Sequence, residues 1–485
     1  MSTAPDVSTA SERVGHGPTV RRYGRSVRVW GCRAMTVVPA WVVAVLTAPY
    51  LAPGGTADPW NPVMPHARAM WFTAHQLVGF QTIFLTPDPS SGMIFPLSAV
   101  GAGIGSVMAI GGWFGWQLIF LVITASSVCW LVARSTGLRA WRLAMAAALA
   151  MVVIAPARAA AGQGTLDMLM IALVMWGMLP SGRGSRKPAV ALGLAGSIWI
   201  GPLVGVAVLL IAGLVPRSWL PALGVKKSNP EDAESNPGGT PATMEGLSAW
   251  RHRRRDPLLR APGQRGMIAL GTALLFTSCG LLAIPWATND FWWLFRRGAA
   301  VVPTALNPSL GSVAGSTGWV IGGLLGIAGL AISATAVRAQ RHTEALVWTC
   351  LALAVGVPGH FAGQGAPALV AGLIVVRPLM TASENSRSRH NDHLGWSQDN
   401  DLPLVAAGLH TTQRVLVMVW SAWICLVPLD LLWRVSGLPA WLGPSLRWVA
   451  PVLGALCLVA GSVRLAGAAR WRRRRVASQA AEHEI

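Results

Sequence analysis

The sequence alternates long apolar blocks with polar connectors, and this pattern predicts a bundle of membrane-crossing helices. A helix needs about 20 largely uncharged residues to cross a bilayer. Twelve blocks approach that length: 35–52, 97–113, 116–133, 143–157, 165–180, 188–214, 267–285, 317–337, 345–358, 366–376, 415–433 and 448–467. Because 345–358 and 366–376 are short enough to be tilted or re-entrant, the expected number of helices is about 10 to 13.

The composition supports the same class of protein. Hydrophobic residues make up 53% of the chain and charged residues 12%, and the mean hydropathy is +0.49. These values lie outside the usual range of a water-soluble globule. We therefore predict an all-α polytopic membrane protein, in the plasma membrane.

Positive charge orients the predicted helices. Lysine and arginine outnumber aspartate and glutamate by 39 to 19, and the excess collects in segments 1–34, 216–266 and 468–485. Basic segments beside apolar spans favour the cytoplasmic side, where they contact anionic lipid rather than nucleic acid. This predicts two cytoplasmic termini, a flexible cytoplasmic loop at 216–266, and two transmembrane halves at 35–215 and 267–467.

The same orientation places two long loops outside the membrane. They are 53–96 and 286–316, whereas 377–411 is a third polar loop, in the second half. Two short basic connectors, 134–142 and 183–187, would also lie outside, which is contrary to the distribution of positive charge in membrane proteins. The local topology between 97 and 190 therefore stays open at this point.

The first long loop combines an early carboxylate with a predicted surface helix. Asp58 follows the first block, and residues 67–84 carry apolar side chains at helical spacing, namely Met70, Trp71, Ala74, Leu77 and Val78. Such a pattern is typical of an amphipathic helix that lies along a membrane surface. Asp88 follows between two prolines, where the chain turns towards the second block.

Short motifs occur in a suggestive order after this loop. They are Ile94-Phe95-Pro96-Leu97, Gly162-Gln163, Gly193-Leu194 through Pro202, Asp290-Phe291-Trp292 and Asn307-Pro308-Ser309-Leu310. From about residue 35 to 365 the chain thus resembles the GT-C fold glycosyltransferases, especially actinobacterial polyprenyl-phosphate-dependent α-1,2-mannosyltransferases and arabinofuranosyltransferases. It departs from them at Trp199, Ser316 and Gly363-Gln364, where the family often carries lysine, arginine and a histidine pair.

The resemblance implies a GT-C-type bundle with two structured extracytoplasmic loops and an inverting sugar transfer. Mannose, or alternatively arabinofuranose, would pass from a polyprenyl-phosphate carrier to an envelope glycolipid or lipoglycan. Such a donor is a substrate, so neither a cofactor nor a metal ion is expected. A positioned carboxylate can take the proton of the acceptor hydroxyl. We expect Asp58 to be this base, with Asp88 in reserve and His66 as a possible assistant; alternatively, Asp58-Pro59 only starts a turn.

Other candidates would bind the substrate. The leaving phosphate requires cations or amide donors, and Arg296 with Arg297 are the best-placed pair, unless they only anchor the chain in lipid headgroups. The predicted substrate-binding residues are Asp88, Gln163, Trp292, Arg296, Arg297, Asn307 and His360. Asn307 can equally form a turn, and the glycines around Gln163 can simply separate two helices.

One alternative class of protein shares the predicted ground plan. Twelve spans with a cytoplasmic central loop are also typical of a major-facilitator transporter. That class usually carries a charged Gly-Asp-Arg motif between its second and third spans, but residues 111–116 here contain no charge. The two long outer loops also favour the transferase.

Overall fold

The computed structural model contains fifteen helices among the residues that it describes. The described residues are 35–47, 65–81, 97–108, 112–138, 140–179, 186–215, 262–284, 309–339, 341–357, 365–376, 411–426, 446 and 448–483, and no strand occurs among them. The first seven helices are α1 (Met35–Thr47), α2 (Pro65–Val78), α3 (Ala99–Met108), α4 (Gly112–Thr136), α5 (Ala140–Val153), α6 (Ala155–Gln163) and α7 (Asp167–Met178). The others are α8 (Lys187–Ile198), α9 (Leu203–Leu214), α10 (Pro262–Ala283), α11 (Gly311–Arg338), α12 (His342–Gly356), α13 (Ala366–Val376), α14 (Thr411–Leu426) and α15 (Val449–His483).

The transmembrane helical character predicted from the sequence is confirmed. In the described part of the chain, four helices are long and apolar enough to cross a membrane, within α4, α10, α11 and α15. The pair α5 and α6 makes a fifth if it is counted as one broken span. Many large apolar side chains are exposed on these helices, such as Leu324 and Leu282, as expected where lipid rather than water covers the surface.

Two of the predicted blocks fold differently from the expectation. Block 97–113 yields only the ten-residue α3, which is about 15 Å long and thus half the thickness of a hydrocarbon core. Block 188–214, expected as one span, contains two helices, α8 and α9. The chain leaves α8 at Trp199 in an extended conformation, and a turn through Gly201 and Pro202 starts α9. The short blocks 345–358 and 366–376 are indeed short helices, α12 and α13.

Glycines let neighbouring helices approach to backbone contact. A Cβ built on Gly213 would lie 2.5 Å from the Cα atom of Gly263, so the end of α9 touches the start of α10. A Cβ on Gly356 in α12 would lie 2.9 Å from the Cα atom of Gly326 in α11. Close packing through small residues is the usual way in which helices associate in a membrane, where water does not drive them together.

Polar contacts define one end of the bundle, here called the basic end. Arg265, in the first turn of α10, donates hydrogen bonds to the carbonyl oxygens of Gly177 and Leu179, where α7 finishes. It also acts electrostatically on His342, the first residue of α12. Arg464 of α15 lies 3.5 Å from Glu344 in the first turn of α12. The basic end is therefore the end of the bundle at which α7 and α9 finish and α10 and α12 begin.

The opposite end of the bundle collects the other helix termini. The amide of Ser98, just before α3, donates to the carbonyl oxygen of Ile198 at the end of α8, at 3.1 Å. Val100 of α3 packs on Gly280, in the last turn of α10. Helices α2 and α6 both pack against α4, and α2 also covers α3. The opposite end is therefore where the first predicted loop joins the bundle.

Candidate functional site

Two of the nine predicted site residues lie in the described part of the chain. They are His66, in the first turn of α2, and Gln163, at the end of α6. The other seven lie outside the described residues: Asp58, Asp88, Trp292, Arg296, Arg297, Asn307 and His360. The site can therefore be built from its helical side, around α2, α6 and the start of α7.

Helix α2 is held to the bundle by aromatic residues. It begins with Pro65, whose missing N–H is no loss in a first helical turn. The indole of Trp116 in α4 donates a hydrogen bond to the carbonyl oxygen of Ala67 at 2.9 Å. Trp71 and Trp113 meet edge to face with ring centroids 5.9 Å apart, and the guanidinium of Arg68 lies 5.6 Å from the Trp113 ring centroid. Helix α2 is thus fixed to the first turns of α4.

The predicted apolar face of α2 is the one that packs on the bundle. Met70, Ala74 and Leu77 are buried, but Val78, which the pattern also placed on this face, is 75% exposed because it lies at the end of the helix. The helix ends there, six residues before the predicted limit, because Phe80 adopts a left-handed conformation and the amide of Gln81 donates back to the carbonyl oxygen of Gln76. The helix itself is confirmed.

His66 is buried and uncharged at neutral pH. Its side chain is 7% exposed, and burial lowers its pKa to about 4. Desolvation has this effect because it disfavours the protonated ring. A neutral imidazole can accept or donate one hydrogen bond, but it adds no positive charge to a nearby phosphate.

A sharp bend carries the chain from α5 into α6. The two helices meet at 76°, because Ile154 is extended and Pro156 lies in the first turn of α6. Gly164 follows the last residue of α6 and has φ +66°. Its amide donates a hydrogen bond to the carbonyl oxygen of Ala160. The predicted break at the glycines around Gln163 is therefore confirmed, and its cause is the left-handed Gly164.

Two of the side chains that have a buried polar atom without a partner in the described part of the chain lie on α2 and α6. Among the described residues, the side-chain nitrogen and oxygen of Gln76 in α2 have no hydrogen-bond partner. The side-chain oxygen of Gln163 in α6 also has none in this part of the chain. Gln76 is only 4% exposed, and α6 packs against α2. A native structure rarely leaves buried amides unsatisfied unless a water or a ligand completes them. Helices α2 and α6 thus offer amide donors and acceptors for a polar ligand.

Two charged groups flank Gln163 along the chain. Asp167, at the start of α7, is buried and accepts a hydrogen bond from the Thr165 hydroxyl at 2.8 Å. Arg158 in α6 is half-buried. Taken together, the side chains of α2, α6 and the start of α7 can bind hydroxyl groups by amide and carboxylate oxygens and an anionic group by a guanidinium.

Sequence reasoning missed Gln76 and Arg158. Gln76 continues the buried face three residues after Thr73, so its place on the helix was available from the spacing. Arg158 is the single charged residue between two apolar blocks. A guanidinium is costly to place within a membrane, and this cost could have identified Arg158 as a functional candidate. Among the described residues, no group of three or more histidine, cysteine, aspartate or glutamate side chains is placed to hold a metal ion.

Comparison with known proteins gives no relative. No protein-family model matches the chain, and no curated protein or solved structure is similar to it. The class that the fold defines is a transmembrane helical protein.

Proposed function

We propose that this protein is an inverting glycosyltransferase of the outer face of the plasma membrane. It transfers a mannosyl residue from a polyprenyl-phosphate donor to an envelope glycolipid or lipoglycan. The observation that carries the proposal is the buried amide group of Gln76 in α2 and the buried side-chain oxygen of Gln163 in α6, neither of which has a hydrogen-bond partner among the described residues. Amide groups with both donor and acceptor atoms suit the hydroxyl groups of a sugar.

The distribution of charge supports an outer location for this site. If α1, α4, α5 and α7 to α15 each cross the membrane, there are twelve crossings and both termini share the side of the basic end. The connectors 134–142 and 183–187 then lie on that side as well, because this count takes α3 as not crossing and takes α8 and α9 as one crossing each. The contradiction within the sequence-based topology disappears, and the positive charge falls almost entirely on the cytoplasmic side.

In this reading the two long loops belong to the outer side of the membrane, as do α2 and α6. Asp58 takes the proton of the acceptor hydroxyl, and the hydroxyl oxygen attacks the anomeric carbon from the face opposite the phosphate. The bond between that carbon and the phosphate oxygen breaks, and the polyprenyl phosphate leaves. Arg296 and Arg297 bind the leaving phosphate, and Gln76 with Gln163 orient the sugar.

The test is a transfer assay with the purified protein in proteoliposomes. Radiolabelled polyprenyl-phosphate mannose and an extracted lipoglycan acceptor are supplied, and the labelled product is counted. Asp58→Asn should lower transfer by at least about 100-fold, as expected for loss of a general base; the same loss in Asp88→Asn, with transfer retained in Asp58→Asn, would assign the base to Asp88 instead. Transfer that is unchanged in Asp58→Asn at equal expression would remove Asp58 as the base.

A second variant in the same assay tests the amides of Gln76 and Gln163. Gln163→Ala should lose about tenfold in kcat/KM, because one hydrogen bond to a substrate hydroxyl is lost. Failure of wild type with mannose but transfer with the arabinofuranose donor would establish the arabinosyl alternative. Uptake of a solute by the same proteoliposomes, with no transfer from either donor, would contradict the proposal and indicate a transporter.

A further inference from the structure

Helix α6 carries an arginine at the opposite end of the bundle. Helix α7 finishes at the basic end, at the hydrogen bonds from Arg265. It is twelve residues long, so its start and the preceding α6 lie about 18 Å away, at the opposite end. Helix α6 packs there against α2, α4, α5, α7 and α14, and Arg158 is its fourth residue. A guanidinium inside a membrane bundle is costly unless a partner compensates it, which makes it a candidate for binding.

Arg158 and Gln163 share the half-buried face of α6. The buried residues of this helix are Ala155, Pro156, Ala157, Ala160, Ala161 and Gly162. The remaining three, Arg158, Ala159 and Gln163, are half-buried and fall within about 140° of the helix circumference. The two polar residues are separated by about 7.5 Å along the helix axis. This face therefore combines a guanidinium with the unpartnered side-chain oxygen of Gln163.

A carboxylate is fixed beside the same face. The amide of Thr165 donates to the carbonyl oxygen of Ala160 at 3.0 Å, so the chain folds back on α6 after its end. The Thr165 hydroxyl donates to Oδ2 of Asp167 at 2.8 Å, and Asp167 is only 7% exposed. Arg158, Gln163 and Asp167 are here called the α6 corner. It brings a cation, an amide and an anion together on one short stretch of chain.

The two charges of the α6 corner do not neutralise each other. In the part of the chain that the structure describes, Arg158 makes no ion pair or hydrogen bond, and the carboxylate of Asp167 accepts only from Thr165. A guanidinium has five N–H donors and a carboxylate about four acceptor sites, so most of this capacity is unused. A ligand that has both an anionic group and hydroxyl groups would use it, and a sugar phosphate has both.

We infer that the α6 corner holds the head group of the lipid-linked donor, with the phosphate on Arg158 and sugar hydroxyls on Asp167. The inference rests on the proposed function for the identity of the donor. The donor phosphate is a diester with one negative charge. When the bond to the anomeric carbon breaks, its electron pair stays on the phosphate oxygen, and the phosphate becomes a monoester with a second negative charge. Arg158 binds that charge more strongly and so favours its departure.

The experiment measures binding, so it does not depend on turnover. The purified full chain in neutral detergent is titrated separately with polyprenyl phosphate, polyprenyl-phosphate mannose, uncharged polyprenol and phosphatidylglycerol, and bound ligand is counted by native mass spectrometry. Both phosphorylated polyprenols should bind at least about tenfold more tightly than polyprenol. Equal binding of polyprenol would overturn the inference. Equally tight, Arg158-dependent binding of phosphatidylglycerol would overturn the donor as the source of the phosphate.

Two variants separate the roles of the two charges. Arg158→Gln should lower the affinity for both phosphorylated polyprenols about tenfold, because a charge-assisted contact to phosphate is lost, and Arg158→Lys should lose less. Asp167→Asn keeps an oxygen for the Thr165 hydroxyl. It should lower the affinity for polyprenyl-phosphate mannose about fivefold and leave that for polyprenyl phosphate equal or higher, because one negative charge is removed. An effect of folding alone would change the binding of both ligands, and such a result would refute the role of Asp167.

Arg338→Gln is the matched control. Arg338 is also half-buried and makes no ion pair among the described residues, but it ends α11 at the basic end. This variant should bind both ligands as wild type does, and equal affinities of Arg158→Gln and Arg338→Gln would refute the site. Arg158-dependent binding without any sugar transfer by wild type would support the site and contradict the transferase. Transfer by wild type, with undiminished donor affinity in Arg158→Gln, would support the transferase and contradict the site.

Discussion

The contact between α8 and α10 allows a sharp test of the packing. Gly193 of α8 lies against α10 so closely that a Cβ atom would overlap the carbonyl oxygen of Ala269 and lie 2.7 Å from the Cβ atom of Thr272. Neither neighbour can rotate away, because one is backbone and the other is the root of a side chain. Gly193→Ala must therefore move the two helices apart by about 1 Å, and overpacking of this kind costs about 2 kcal/mol.

The expected result is a lower melting temperature in detergent. For a cost of about 2 kcal/mol the apparent Tm should fall by about 5 °C. The control is Gly271→Ala, in the partner helix α10, where a Cβ would meet nothing within 4 Å; this variant should melt at or above the wild-type temperature, because alanine favours a helix. If Gly193→Ala melts no lower than Gly271→Ala, the two helices do not approach as described.

Three further outcomes concern the site helix and the basic end. Trp116→Phe removes the hydrogen bond to the Ala67 carbonyl oxygen, so amide hydrogen exchange in α2 should rise several-fold, whereas Trp141→Phe, at an exposed position, should change nothing. The pKa of His66 is about 4 in the folded protein and 6.5 in the unfolded chain, so between these pH values the unfolded chain binds one more proton. The free energy of unfolding should therefore fall by about 3 kcal/mol as the pH drops from 6.5 through 4. This loss should be absent in His66→Gln. Glu344→Gln leaves the two guanidiniums that lie 3.5 Å from this carboxylate without a counter-charge and should lower stability by about 2 kcal/mol, less at high salt.

The class of fold could be predicted from the sequence because hydropathy can be summed over a whole block of residues. Runs of apolar residues identify membrane helices from composition alone, and the amphipathic α2 followed from its spacing. The ends of elements depend on local geometry instead. Helix α2 stops where Phe80 turns left-handed, and that conformation is not written in the hydrophobic pattern.

The two misread blocks have different physical causes. Block 97–113 is apolar throughout, yet glycines at 101, 103 and 105 make a weak helix, and α3 packs against α2, α8 and α10. Hydropathy reports whether a segment avoids water, but it does not report whether the segment crosses the membrane. Block 188–214 divides into two short helices, α8 and α9, and the Gly201-Pro202 turn between them was interpreted only as part of a motif.

The candidate site was predictable only as far as its helices. His66 and Gln163 were singled out, and both lie on elements of the opposite end. The importance of Gln76 rests on the absence of a hydrogen-bond partner in the described structure, which is a tertiary property. Arg158 became a candidate when the bend at Ile154 placed α6 across the bundle. Such features follow from packing, and a single sequence does not reveal them.

The backbone contact between Gly213 and Gly263 makes the intervening segment a natural insertion point. Both anchors of 216–261 are held together by α9 and α10, so the bundle itself closes this loop. Closure entropy changes by only about 0.6 kcal/mol for each doubling of loop length. A reporter enzyme or an epitope of considerable size should therefore be accepted here with little loss of stability, and the response of that reporter to impermeant reagents gives the side of the membrane directly.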